Sequence, residues 1–228
     1  MNEHLLETAM QSLTGTTTSQ DQPSTKLTLP APSPEWREKA LQLSNLSEQP
    51  EPIQKMWLAA ENWTRRACRN IKEPFTLLVL CGSVGTGKTT IARNAIGYIA
   101  DCAMSCVEKG WWRTIPSTHT MRWSAIAETP ANERFDVWRD CEQASVLLLD
   151  DIGTEGDQFK SGRPVENLRA ILEARHGRWT IVTTNIATAH WSDHWDDRIT
   201  DRLIRNSKVI DVTGARSWAL RKMIKGEA

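Results

Sequence analysis

The stretch that decides the fold is Phe75-Thr-Leu-Leu-Val-Leu-Cys81, which runs straight into Gly82-Ser-Val-Gly-Thr-Gly-Lys88-Thr89. Apart from Thr76 the first seven residues are apolar, and a short unbroken run of this kind reads as a strand buried on both faces. The next eight residues fit G-x-x-x-x-G-K-[ST]. Glycines let a backbone wrap closely enough for its N–H groups to face phosphate oxygens. A helix opening near Lys88 adds the positive end of its dipole. In that arrangement Lys88 reaches β- and γ-phosphates and the Thr89 hydroxyl ligates Mg²⁺. The residues expected to hold a nucleotide are therefore Gly82, Ser83, Val84, Gly85, Thr86, Gly87, Lys88, Thr89 and Thr90. ATP and Mg²⁺ are the expected cofactors. The competing reading is a glycine-rich turn that fits by chance, and strand, loop and helix in sequence argue against it.

Outward from this loop the chain alternates strand and helix. A helix over Pro52 to Asn70 carries Ile53, Met56, Trp57, Ala60, Trp63, Thr64 and Ala67 on one stripe. Helix is expected from Thr89 to Cys106, a weaker strand from Thr118 to Ser124, and a polar-faced helix from Glu133 to Gln143. Val146 to Asp150 (VLLLD) and Trp179 to Thr184 (WTIVTT) read as further buried strands, with helix from Pro164 to His176 between them. A short strand, Val209 to Val212, closes the series. Such alternation implies a parallel sheet with helices on both faces, whose ligands lie at the carboxyl ends of the strands.

Three later motifs fall at such ends. Asp150 and Asp151 finish a buried strand. Asp150 is placed to hold the Mg²⁺ shell beside Thr89, and Asp151 to orient or deprotonate a water. Asn185, after Thr183 and Thr184, offers an amide to the γ-phosphate or that water; an asparagine there also forms ordinary turns. Arg198 and Arg202 stand four apart on one helix face, where arginines commonly do no more than meet solvent.

Residues 1–33 differ in kind. Leu5, Leu6, Ala9, Met10 and Leu13 recur at helical spacing, and Thr14 to Ser33 is a Thr-, Ser-, Pro- and Gln-rich linker. That tethered helix would dock either on a partner or on the chain's own body. Residues 34–228 then form one catalytic domain, opened by a helix from Pro34 to Leu43. The 28 basic and 28 acidic side chains cancel, which excludes a strongly cationic coat protein but not a local basic surface. No apolar run approaches the ~18 residues a membrane span needs. With no export signal at Met1 to Met10 and five cysteines, an odd number, the chain is expected to be cytoplasmic with reduced thiols. Cys102 and Cys106, one helical turn apart with His119 downstream, lack the paired spacing of a zinc site and read as core.

In the order of its motifs the chain resembles the AAA+ ATPases, and in detail the DnaC/DnaI helicase loaders and the IstB-like transposition ATPases. The residues that carry this are LLVLCGSVGTGKTTIA, VLLLDDIG, IVTTN and DDRITDRLIRNSKVIDVTG, within a resemblance spanning Pro52 to Ala228. It implies a three-layer αβα core of the parallel-sheet P-loop NTPase type, with a short helical N-terminal extension. The few residues after Val212 agree with a minimal lid. It implies catalytic roles for Lys88, Asp150, Asp151, Asn185 and Arg202, the last as an arginine finger completing a neighbouring subunit's site. Arg216 and Arg221 compete for the sensor 2 position. The implied partners are a replicative hexameric helicase, gripped by the N-terminal region, single-stranded DNA, and further copies of the chain sharing ATP sites. A transposition helper of the IstB kind and a P-loop kinase of small molecules are the alternatives. Asp151 stands where AAA+ proteins at large carry Glu, a shorter side chain consistent with slow hydrolysis.

Eleven tryptophans are many for this length. Trp57, Trp63 and Trp179 lie in apolar patterns and are expected in the core. Trp111, Trp112 and Trp123 are candidate stacking surfaces for bases.

Overall fold

The computed structural model describes residues 46–128, 134–154 and 163–217. The helix expected at residues 2–13, the linker, the Pro34 helix, and residues 218–228 with Arg221 lie outside them. The core is a sheet of five parallel strands: β1 (Leu77–Cys81), β2 (Thr118–Arg122), β3 (Val146–Ile152), β4 (Trp179–Thr184) and β5 (Ser207–Asp211). Their spatial order is β2-β3-β4-β1-β5. The chain leaves β1, crosses to the far edge and returns, so β4 and β5 flank β1. The direction of winding reverses beside β1, and loops on either side of such a reversal open a crevice at the strands' carboxyl ends.

Strand alternation divides the core in two. Leu78, Leu80, Val146, Leu148 and Ile181 point to one face and pack under α1 (Glu51–Cys68) and α2 (Lys88–Asp101). Val79, Leu147, Leu149 and Val182 point to the other. There they meet α6 (Arg163–Ala174), α7 (Trp191–His194) and α8 (Asp197–Ile204), through Leu168, Ile171, Trp191, Ile199 and Leu203. The remaining helices are α3 (Ala103–Glu108), α4 (Trp123–Glu128) and α5 (Arg134–Gln143).

The stripe read on the first helix is buried as expected: Ile53, Met56, Trp57, Ala60, Trp63, Thr64 and Ala67 are all within the core. Pro52 stands in its first turn, where a missing N–H costs nothing. Trp63 meets Trp179 edge-on at 5.6 Å and donates to the Thr76 carbonyl at 2.8 Å, so it joins α1 to the start of β1. Truncating a side chain buried this fully costs about 3–5 kcal/mol.

Several boundaries differ from the sequence reading. The helix expected to run to Cys106 breaks at Cys102, which ends α2 and opens α3; the turn lets Ala103 and Cys106 reach the core. The second strand stops at Arg122, and Trp123 begins a helix. β3 continues past Asp150 to Ile152, and the last strand begins at Ser207, because β1 pairs with it from Leu77 onward.

The tryptophan expectation needs correction for one residue. Trp123 is 1% exposed and therefore offers no face to a base. Trp112 donates from Nε1 to the carbonyls of Ala67 and Cys68, both at 3.0 Å, closing the C-terminal turn of α1. Trp111 is half-buried between the side chains of Arg69 and Lys109, each 4.9 Å from its ring centre. The cysteines are free thiols, four of them buried and Cys102 partly so. Among the described residues no helix is long and apolar enough to cross a membrane.

Candidate nucleotide site

The loop after β1 turns through left-handed glycines, and two of them show why. A Cβ on Gly82, at φ 113°, would lie 2.4 Å from the Thr213 nitrogen, so the loop presses against the chain leaving β5. Gly87, at φ 98°, has open space around it; here the backbone conformation alone demands glycine. Gly87 is the residue before α2, whose first N–H groups therefore open onto the loop. Ser83 Oγ donates to the Thr213 carbonyl at 2.7 Å, and Thr86 Oγ1 to the Ser83 carbonyl at 3.0 Å. Val84, Gly85 and Thr90 are exposed at the loop and the first turn of α2.

Lys88 is 5% exposed and lies inside this loop. Its Nζ donates to the carbonyls of Gly82 at 2.7 Å and Ser83 at 2.8 Å, and to Asn185 Oδ1 at 3.0 Å. Burial pushes the ammonium below its usual pKa, and the nearby charges of Asp151 and Asp150 oppose that shift. Asn185, just beyond β4, donates from Nδ2 to Asp151 Oδ1 at 2.6 Å. Asp150 Oδ1 accepts from Thr89 Oγ1 at 2.8 Å and from Thr183 Oγ1 at 2.7 Å. Thr183 Oγ1 in turn accepts from the Asp151 backbone N–H at 2.8 Å.

Consecutive strand residues normally face opposite sides of a sheet. Here the β3–β4 register shifts between Leu149 and Ile152, and Asp151 adopts φ 64°. With that irregularity both carboxylates meet partners of the site, Asp150 reaching Thr89 and Asp151 reaching Asn185. Aspartate tolerates the left-handed region better than most residues.

These groups fit a nucleotide with its metal. The loop N–H groups, the α2 N-terminus and Lys88 suit phosphate oxygens. Thr89 and Asp150 are hard oxygen donors of the kind Mg²⁺ takes. Among the described residues no group of three or more His, Cys, Asp or Glu side chains could hold a metal by itself. A divalent ion here would complete its shell with phosphate and water oxygens, the usual habit of Mg²⁺.

Sequence reasoning missed three participants. Arg93, one turn beyond Thr89 on α2, contacts Asp150 Oδ2 at 3.1 Å; its i+4 spacing from Thr89 was the available signal. Thr183 links the two aspartates. Asp211, at the end of β5, accepts from Thr188 N at 3.0 Å, Thr188 Oγ1 at 2.7 Å and Thr213 N at 2.8 Å, and also from Thr213 Oγ1. Burial alone would raise its pKa, but these hydrogen bonds prevail and lower it to about 2.

Arg202 stands apart from the rest. It lines a cavity of about 290 Å³ with Thr76, Leu77 and Thr180, at the amino ends of β1 and β4. Lys88 lies at the opposite end of the same strands, roughly 15–20 Å away at ~3.3 Å per residue. Arg202 pairs with Glu173 Oε1 at 2.9 Å, while its Nε is buried without a hydrogen-bond partner among the described residues. The pair is partly exposed, worth no more than about 1 kcal/mol, and easily given up. Arg198 is exposed on the preceding turn. Arg216 is exposed and adjoins Ser217, whose Cβ would lie 2.8 Å from a Cβ on Gly85, so its backbone passes beside the phosphate loop.

A five-stranded parallel sheet, with its phosphate loop after β1, an acidic pair on β3 and an amide after β4, is the AAA+ type of P-loop fold. Among the solved structures it resembles are replication initiators and a helicase loader; the sequence motifs pointed to the helicase-loader group. DnaA from Aquifex aeolicus bound to AMPPCP matches at TM-score 0.53 and 17% identity, over 86% of this chain and 55% of that one. Domain III of the Thermotoga maritima replication initiation protein DnaA matches at 0.55 and 12%, over 80% and 68%. The DnaC helicase loader matches at 0.54 and 16%, over 78% of this chain and 99% of that one. This chain spans about half the length of the AMPPCP-bound DnaA structures. At these identities the likeness concerns the fold. No protein-family model matches the sequence, and no curated protein matches it.

Proposed function

We propose that this chain is an ATP-binding and ATP-hydrolysing AAA+ protein that loads a replicative helicase onto single-stranded DNA. The nucleotide part rests on one observation: Lys88, Asn185 and Asp151 form one hydrogen-bonded path, and Thr89, Asp150 and Thr183 another, meeting at the Asp151 N–H. These residues, far apart in sequence, converge at the carboxyl ends of the strands, where such sheets bind ligands.

In this reading Lys88 exchanges the Gly82 and Ser83 carbonyls for phosphate oxygens. Thr89 and Asp150 hold the metal shell. Held there, Mg²⁺ would supply positive charge to offset that developing on the phosphate. Asp151 orients the attacking water and accepts its proton, and Asn185 fixes Asp151 relative to Lys88. Arg202, at the far end of the sheet, serves the site of a second copy, which makes ATP a signal for assembly. Arg216 is the candidate for contact with the nucleotide from the chain after β5.

The replication role draws support from the company the fold keeps. One matched structure is a replication initiator DnaA bound to AMPPCP and single-stranded DNA, at TM-score 0.52 and 15% identity over 78% of this chain. Another is named a helicase loader. Residues 1–33 would form the helicase-gripping extension and residues 34–228 the ATPase domain.

Two experiments test this. Wild-type protein should bind ATP with Mg²⁺ and Lys88→Ala should lose it; unchanged affinity would sink the site assignment. A pull-down of a hexameric replicative helicase, with and without residues 1–33, tests the loader part. Capture that depends on those residues supports it. Capture by neither form removes the helicase and leaves the ATPase.

A further inference from the structure

Asp150 is 3% exposed, and a carboxylate so enclosed needs compensation for the water it has lost. Its Oδ1 accepts the Thr89 and Thr183 hydroxyls at 2.8 and 2.7 Å. Its Oδ2 accepts Arg93 Nη2 at 3.1 Å, and that guanidinium is the full positive charge paired with it. The two partners differ sharply in setting. The Asp150 side chain is 4% exposed, while that of Arg93 is 56% exposed. Asp150 is therefore held on both sides of its carboxyl group, and Arg93 has solvent to move into.

Arg93 and Thr89 lie one turn apart on the same face of α2, so both reach Asp150 from one rigid element. Thr89 takes the inner oxygen and Arg93 the outer one. A divalent cation seated between Thr89 and Asp150 would bring a second positive charge against the same carboxylate. Two cations sharing a single acid repel, and the solvated one is the one that yields.

We propose that Arg93 is a positioning residue that holds Asp150 in place of the metal: it neutralises the carboxylate when no divalent cation is bound and releases Oδ2 when one arrives. Arg93 thus sets the Mg²⁺ concentration at which the site loads. The inference rests on the reading of Thr89 and Asp150 as the metal end of a nucleotide site.

The test is a Mg²⁺ titration at a fixed, subsaturating concentration of a fluorescent, non-hydrolysable ATP analogue, with binding read by anisotropy. Arg93→Gln should half-saturate at about two- to fivefold lower Mg²⁺ than wild type, the range one partly exposed ion pair can carry. Arg93→Lys, which keeps the charge, should stay near wild type. Melting in EDTA supplies the second readout. Arg93→Gln should melt below wild type there, and the gap should close once Mg²⁺ and nucleotide saturate the site. Equal Mg²⁺ midpoints for wild type and Arg93→Gln would overturn the proposal. So would a higher midpoint in Arg93→Gln, since Arg93 would then be helping the metal to bind. Wild-type binding that ignores Mg²⁺ altogether would overturn both this inference and the site reading beneath it.

Discussion

Asn185 holds Asp151 at 2.6 Å through its amide nitrogen while its amide oxygen receives Lys88 Nζ at 3.0 Å, so one side chain fixes the distance between the site's cation and its candidate base. Neither contact is visible along the chain, where these residues stand far apart. In the proposed ATP site Asn185 spans the phosphate-binding and water-activating groups, and it should register whether a γ-phosphate has displaced Lys88.

Asn185→Ala should therefore separate binding from chemistry. ATP affinity should change little, because the loop N–H groups, Lys88 and Thr89 remain. Hydrolysis should fall roughly a hundredfold, the scale on which removing one oriented polar group acts. Equilibrium binding beside single-turnover hydrolysis would check this, and hydrolysis at the wild-type rate would remove Asn185 from the site.

Arg202→Ala addresses the other end of the sheet. Because Arg202 cannot reach the Lys88 site of its own chain, ATP binding by the isolated chain should be intact, while hydrolysis or ATP-dependent assembly is lost. Mixing Arg202→Ala with Lys88→Ala protein sharpens the test. Each supplies what the other lacks, so partial recovery of hydrolysis is expected in the mixture. Full activity of Arg202→Ala alone would leave the finger role without support.

Gly153→Ala tests the packing behind the aspartates. Gly153 has φ 84°, and a Cβ there would lie 2.4 Å from Ile186 Cδ1 and 2.9 Å from Trp195. Strain and overlap together should cost about 2–4 kcal/mol of stability, read by chemical denaturation. The displaced Ile186 adjoins Asn185, so nucleotide binding should weaken in the same variant. A loss below about 0.5 kcal/mol, the size of an ordinary surface change, would show that the loop yields freely.

Asp211 carries the pH dependence. Its folded-state pKa lies near 2 against an ordinary 3.8, so it binds a proton less readily folded than unfolded. Its contribution to stability is full above about 4 and is lost as the pH falls towards 2. Asp211→Asn should melt below wild type at pH 7, and the gap should narrow over that acid range. A gap that stays constant from pH 7 to pH 2 would assign the effect to something other than this carboxylate. The same change frees Thr188 and Thr213, so the chain beside Gly82 should loosen.

Much of this site could be read before any coordinates. The apolar run into Gly82, the glycine spacing and Lys88-Thr89 are local patterns, and local patterns survive because strand and loop conformations depend on near neighbours. Asp150 and Asn185 were legible for a related reason, since both follow buried runs and a parallel sheet brings the carboxyl ends of such runs together. Arg93 was legible only as a neighbour of Thr89 at i+4, because a charged residue on a helix looks the same whether it meets solvent or a buried acid. Trp123 misled for the converse reason. Nothing local marks the end of a weak edge strand, and burial of that ring depends on helices far away in sequence.

By itself, the sequence determined the order of the five strands, the glycine loop after the first and the identity of the chemical groups, because hydrophobic period and glycine spacing act over a few residues. Tertiary structure alone decided how those groups meet. The irregularity at Asp151 lets two adjacent carboxylates meet Thr89 and Asn185. The return of β4 beside β1 sets Asn185 against Lys88. The run of α8 carries Arg202 away to the opposite end. Each is a consequence of pairing between distant segments, which a hydrogen-bonded sheet fixes all at once and a linear pattern does not encode.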